Sequence, residues 1–238
     1  VGGDLKVIKT ERVSYWYPDG SIGIDDVSLE IKRGERVGII GANGSGKSTL
    51  LFLLGGLLRP TKGRVEILGM EPNKRNIEVI RRKVGIAFQN PDEFLFNPSV
   101  RDELVYVPLQ LNWDEKNLER AVKKYSELFS LENFLDKPPF RLSGGEKKKV
   151  EIASILIYEP EVLLLDEPTS SVDGKSKRLI LKLLKDFEGT LVVASHETDI
   201  LRELVDRIIL LNLDHKVEVE GGREILEDFE LLEETGVL

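Results

Sequence analysis

Cysteine is absent from this 238-residue chain, which excludes disulfides and thiolate metal sites. Methionine occurs once and glutamine twice, against abundant Lys and Glu, a bias that leans toward a thermophilic source. No apolar run approaches the length of a membrane span and no stretch resembles a signal peptide, so any membrane role requires a partner. Excess positive charge is missing too. The balance of 34 Lys+Arg against 42 Asp+Glu leaves a formal net charge of -8, which argues against a generally basic nucleic-acid surface and leaves only a local patch open. Neither an internal repeat nor a low-complexity linker divides the chain, whose length suits one large domain or two lobes sharing a core. The opening Val1-Gly2-Gly3-Asp4 reads as a remnant of processing or expression.

What is present begins with the loop Gly41 to Thr49, GANGSGKST. It matches G-x-x-x-x-G-K-[ST] at Gly41, Gly46, Lys47 and Ser48. The strand-like Arg36 to Ile40 precedes it, and the apolar helical run Leu50 to Leu54 follows. Chance alone would give the four specified positions in about 1% of chains this long. Glycines let the backbone wrap closely enough for successive N–H groups, those of Asn43, Gly44 and Ser45 included, to face a phosphate chain. The helix N-terminus adds partial positive charge at the same place. Lys47 would reach the β- and γ-phosphates, and the Ser48 hydroxyl would ligate Mg²⁺.

A second constellation, Val162-Leu163-Leu164-Leu165-Asp166-Glu167, puts a carboxylate at the C-terminal end of a buried strand, where α/β sheets open their ligand crevice. Asp166 suits the Mg²⁺ shell, and Glu167 can orient or deprotonate an attacking water. The wider pattern agrees with such a sheet. Val7 to Tyr17 and Ile24 to Ile31 read as strands joined by the turn Pro18-Asp19-Gly20-Ser21. Arg64 to Leu68, Val84 to Phe88, Leu191 to Ala194 and Arg207 to Leu211 read as further strands. Helices are expected at Ile77 to Arg82, Lys147 to Tyr158, Lys175 to Phe187 and Thr198 to Val205. Residues 89–161 differ in character, being charged with helical apolar spacing at Leu118, Ala121, Val122, Tyr125, Leu128 and Phe129. Strands alternating with helices predict a mostly parallel sheet covered on both faces.

Leu142-Ser143-Gly144-Gly145-Glu146, opening a helix about twenty residues before the acidic strand, supplies a second set of N–H donors for an anion. With it the chain resembles, over essentially its whole length, the ATP-binding cassette family, whose signature reads LSGGQ; Glu146 stands where Gln is usual. The resemblance implies a P-loop NTPase fold with a mostly parallel core sheet, an N-terminal antiparallel β subdomain and an α-helical subdomain. One cassette would span 1–238, with 1–88 and 162–238 as nucleotide-binding core and 89–161 as helical subdomain. It further implies that Gln89 contacts Mg²⁺ and water, that His196 contacts the γ-phosphate and that Tyr17 stacks on adenine. Ser171-Val172-Asp173 resembles the D-loop, with Gly174 where Pro is common, and places Asp173 near the nucleotide. ATP and Mg²⁺ are the implied ligands. In this family Ser143 to Glu146 of one subunit faces the phosphate loop of a second, so two ATP molecules are sandwiched and hydrolysis lets the halves open.

Gln89-Asn90-Pro91-Asp92-Glu93-Phe94-Leu95-Phe96, with Tyr17 to Gly20 and Glu230 to Glu234, is similar to the energy-coupling-factor branch. That branch powers uptake of vitamins and of metal ions such as cobalt or nickel. The expected partners are an integral membrane transport subunit and a second ATPase subunit, identical or paralogous, with no nucleic acid, at the cytoplasmic face of the cell membrane. There Asp92 and Glu93 would meet basic residues of the membrane partner. Two departures stand out: Asn212 to His215 lacks the usual glycine-containing turn, and the tail stops at Leu238 where branch members usually continue. His215 receives no role. A soluble cassette ATPase serving DNA or ribosomes is the alternative, but only about fifty residues separate Gln89 from the signature, too few for a long coiled coil, and a single cassette is present. Intact Lys47, Asp166, Glu167 and His196 argue against a regulatory module with dead chemistry. A GTPase would need N-K-x-D, which is absent. The solute is not written in this chain, because selectivity resides in the membrane partner.

Overall fold

The computed structural model describes residues 5–238, so the reading of Val1 to Asp4 lies outside the described residues. In chain order the elements are β1 (Lys6–Trp16), β2 (Ile22–Lys32), β3 (Arg36–Gly41), α1 (Lys47–Leu54), β4 (Lys62–Ile67), α2 (Ile77–Arg81), β5 (Val84–Ala87), α3 (Val100–Gln110), α4 (Glu115–Phe129) and α5 (Gly144–Leu156). They continue as β6 (Val162–Asp166), α6 (Gly174–Lys185), β7 (Thr190–Ala194), α7 (Thr198–Leu204), β8 (Arg207–Leu211), β9 (Val217–Gly222) and α8 (Phe229–Glu234).

Two sheets form. The first is antiparallel, in the order β2-β1-β4; the second is ordered β5-β6-β7-β3-β8-β9, parallel except for β9. The strands at the middle of the second sheet are mostly aliphatic because both their faces are buried. Successive side chains point to opposite faces, so Val162 and Leu164 join one core and Leu163 and Leu165 the other. The same alternation separates Val192 from Leu191 and Val193, and Ile209 from Ile208 and Leu210. One core packs the sheet against α1 and the antiparallel sheet; the other packs it against α3 to α7. Each fully buried aliphatic side chain contributes about 1.5–3 kcal/mol relative to an exposed one.

The chain departs from the sequence expectation after β8. Asn212 to Lys216 closes a hairpin without glycine. His215 takes the left-handed conformation, with φ 63°. The Asn212 N–H donates to the Lys216 carbonyl (3.0 Å), and the Asn212 side-chain oxygen accepts the Lys216 N–H (3.0 Å). The hairpin adds β9 as an antiparallel edge strand. Its His215, left without a role by the sequence, is a turn residue whose carbonyl also accepts the Asp25 N–H (2.9 Å).

Candidate active site

Strand β3 ends at Gly41 and the chain turns through 42–46 into α1. Gly46 sits at φ 98°, and a Cβ there would collide with the Gly23 carbonyl, so the tight approach requires glycine. Among the described residues no side chain caps α1 at Gly46, so the first-turn N–H groups remain for an external anion. The Lys47 ammonium folds back onto the Gly41 and Ala42 carbonyls at 2.8 and 2.9 Å. Burial lowers its pKa, opposed by the negative charges of Glu167 and Asp166. This is a cation held in reserve: two neutral carbonyls hold it, and a phosphate would satisfy it better.

A cleft of about 400 Å³ opens over this loop. Asn43, Gly44, Gly46, Lys47, Ser48 and Thr49 line it from one side; Gln89, Asp166, Glu167 and His196 from the other. Tyr17 stands at its rim just past the end of β1, its hydroxyl 2.7 Å from Thr49 Oγ1. Gly41 and Ser45 lie beneath the loop and do not line the cleft. The Ser45 hydroxyl is buried without a hydrogen-bond partner among the described residues, and a Cβ on Gly41 would press on it.

Asp166 closes β6, buried at 2% exposure. Burial raises its pKa; a hydrogen bond from Ser48 acts the other way, and the Glu167 charge adds to the rise. Glu167 follows in the left-handed region at φ 46°, a strained position for a side-chain-bearing residue. The fold enforces it through the Glu167 N–H bond to the Ala194 carbonyl (2.9 Å). The Glu167 carboxylate accepts the Ser195 hydroxyl at 2.9 Å on one oxygen. Its other oxygen accepts the His196 backbone N–H at 3.0 Å and lies 2.7 Å from His196 Nδ1. Ser195 was not foreseen; only its place beside His196 could have signalled it.

The signature lies elsewhere. Ser143 caps α5 in a reciprocal box with Glu146: Glu146 Oε2 accepts the Ser143 N–H (2.7 Å) and hydroxyl (2.8 Å). None of Ser143, Gly144, Gly145 or Glu146 reaches the cleft over the phosphate loop of its own chain. Gly144 instead lines a second depression with Gln89, Asp92, Lys147 and Ser171. Asp173 is also outside the cleft. It caps α6, accepting the Lys175 and Ser176 N–H groups at 3.0 Å each, and its carboxyl sits below the usual carboxylate range chiefly because of Ser176. A Cβ on Gly145 would lie 2.9 Å from Asp173 Oδ2, so signature and D-loop residues pack together.

A family profile described as ABC transporter matches residues 24–170. The chain belongs to the ABC transporter family of ATPases. A putative ABC transporter ATP-binding protein of Archaeoglobus fulgidus is 66% identical over 238 residues, covering all of both chains. The energy-coupling factor transporter ATP-binding protein EcfA of Methanocaldococcus jannaschii is 36% identical over 98% of this chain and 85% of its own. Among solved structures, the ATP-binding cassette MJ0796, a dimer in a post-hydrolysis state bound to ADP and Pi, superposes with a TM-score of 0.81. It is 31% identical over 91% of this chain and 98% of its own. The chain is thus an ABC ATPase related to an energy-coupling factor ATP-binding protein, and the cleft is its candidate ATP site. Its donor set suits a triphosphate: a lysine with no carboxylate in hydrogen-bond contact and a helix N-terminus with no side-chain cap, both among the described residues, and a Ser–Asp pair. Ser48, Asp166 and Gln89 also suit Mg²⁺, which keeps water and phosphate oxygens among its ligands and needs few from protein.

Proposed function

We propose that this chain hydrolyses ATP to drive an energy-coupling-factor importer of a vitamin or metal ion, working as a head-to-tail dimer beneath an integral membrane subunit. The observation that carries the dimeric part is the separation within one chain of Ser143 to Glu146 from the phosphate loop. A second copy, identical or paralogous, would bring its signature over the cleft. In this reading residues 1–88 and 162–238 form the nucleotide-binding core and 89–161 the helical part. The role falls at the cytoplasmic face of the membrane; among the described residues no helix is long and apolar enough to cross one.

In this mechanism Lys47 leaves its two carbonyls for the β- and γ-phosphates, and the α1 N–H groups cradle the chain behind them. Mg²⁺, held by Ser48, Asp166 and Gln89, would offset the phosphate charge. Glu167 takes the proton of the attacking water, and Ser195 with the His196 N–H holds its carboxylate still. In this reading His196, half exposed, meets the γ-phosphate and Tyr17 stacks on adenine. Asp173, beside Gly145, belongs to the face that meets the second copy's nucleotide.

Two variants test the arrangement. Lys47→Ala should weaken binding of a fluorescent ATP analogue. Gly144→Asp should bind it nearly normally and lose hydrolysis, because the new carboxylate would confront the partner's phosphates. Equal loss of binding in both would contradict a trans-acting signature.

A further inference from the structure

Helix α5 carries two charged side chains that face inward. Lys148 and Glu151 are one turn apart, at 1% and 0% side-chain exposure, and their charges meet at 2.9 Å. Neither belongs to the signature and neither lines the ATP cleft. They grip the backbone that leads out of β5. Lys148 Nζ donates to the carbonyls of Phe88 (2.5 Å) and Gln89 (3.1 Å). Glu151 Oε1 accepts the Phe88 N–H at 2.7 Å. The ammonium thus hydrogen-bonds two carbonyls while its charge sits against Glu151 Oε2, which among the described residues accepts no hydrogen bond, and the Phe88 backbone is held at both its N–H and its C=O by a single i,i+3 pair.

The position of the grip matters. Strand β5 pairs with β6 through Ala87, opposite Leu165, and its ladder stops there. Phe88 and Gln89 lie just beyond, where the sheet offers no further backbone partner. The ion pair takes over the task of the ladder. Desolvation makes the pair costly to assemble and strongly unfavourable to break one-sidedly, so the grip is stiff. Burial pushes the Glu151 carboxyl up and the adjacent ammonium opposes that shift. On the surface a second link runs in parallel: Lys147 and Asp92 pair at 2.6 Å. Both links start in the first two turns of α5, immediately after Ser143 to Glu146.

We propose that Lys148 and Glu151 are positioning residues for ATP hydrolysis: the pair fixes the backbone of Phe88 and Gln89, and so ties the placement of Gln89 in the cleft to the signature helix. This rests on the role of Gln89 given under Proposed function. The pair touches neither nucleotide nor metal.

The test replaces the pair by apolar side chains of similar volume, Lys148→Met with Glu151→Leu, which leaves no orphan charge. Turnover should fall about tenfold or more while binding of a fluorescent ATP analogue stays within about twofold. Lys148→Arg, which keeps the positive charge against Glu151 and N–H donors for the Phe88 and Gln89 carbonyls, should retain most of the rate. In a Gln89→Ala background the double replacement should cost almost nothing further, because groups acting through one residue are not additive. A loss of the same factor in that background, or turnover within about twofold of the parent chain, overturns the proposal. If Gln89→Ala alone leaves turnover intact, the assignment of Gln89 itself fails and takes the proposal with it. Amide exchange on the unmodified chain gives a readout that no folding defect can obscure. The Phe88 amide should exchange as slowly as those of β5, and exchange at the rate of an open loop would refute the grip.

Discussion

Replacing Glu167 by Gln separates chemistry from architecture, and the local hydrogen bonds set both magnitudes. In Glu167→Gln the side-chain oxygen can keep its place against the His196 N–H, where Oε1 now accepts at 3.0 Å. The new amide group then faces Ser195, whose hydroxyl donates to Glu167 Oε2 at 2.9 Å. The Ser195 hydroxyl must turn and accept instead, and its oxygen already accepts the Glu197 N–H at 3.1 Å. With two lone pairs it can serve both donors. The exchange trades one charge-assisted bond for a neutral one and takes the acceptor from the buried Ser195 O–H, so it should cost about 1–3 kcal/mol, or about 2–12 °C in Tm for a domain of this size. Loss of the proton acceptor is far larger. General-base catalysis contributes roughly 10²–10⁴-fold, equivalent to about 2.7–5.4 kcal/mol in the barrier. The variant should therefore fold, bind ATP and accumulate as an ATP-bound dimer on size-exclusion chromatography with MgATP. Near-normal turnover would remove Glu167 from the catalytic role. A collapse of the melting temperature would refute the hydrogen-bond reasoning.

Gly46→Ala should lose at least about 2 kcal/mol from left-handed strain and collision with the Gly23 carbonyl, lowering Tm by about 4–8 °C and weakening ATP binding. Differential scanning fluorimetry with and without ATP reads both effects. Docking on the membrane partner is tested better by Glu93→Lys than by reversing Asp92 as well, because Asp92 is already engaged by Lys147 and its reversal would set two lysines together. With Phe96, 67% exposed and edge-to-face with Tyr106, Glu93 presents a charged rim beside an apolar surface. Glu93→Lys should leave the isolated ATPase rate intact and reduce recovery of the co-expressed complex. Full assembly of this variant would return the segment to a solvated turn.

Much of the site was legible because its chemistry is local. The loop from Gly41 to Thr49 carries its own geometry, and Asp166 with Glu167 follows a strand whose aliphatic run marks burial on both faces. Gly41 matches the motif and Ser45 fills one of its open positions, yet both shape the loop from beneath, where Gly41 packs against Leu211. Asp173 resembles a D-loop acid in the sequence, and within one chain it caps α6, a role the resemblance does not signal. Helix α3 is hard to see because its polar and apolar residues do not separate cleanly and Pro108 lies within it. Strand β9 alternates visibly through Val217 and Val219, but the turn before it lacks glycine, and only a left-handed His215 makes the hairpin. The grip of Lys148 and Glu151 on residues some sixty positions away has no local signature beyond a charge inside an aliphatic run.

The two interleaved cores have a consequence for how this sequence can drift. Neighbours such as Leu163 and Leu164 look interchangeable on the page, yet they answer to different audiences. A bulkier residue at 163 can be accommodated only by changes among the helices behind it, and one at 164 only by changes in α1 or the antiparallel sheet. Adjacent substitutions in these strands should therefore fail to compensate one another. Compensation should run instead between residues far apart in the chain, in two independent vocabularies written alternately along the same four or five letters.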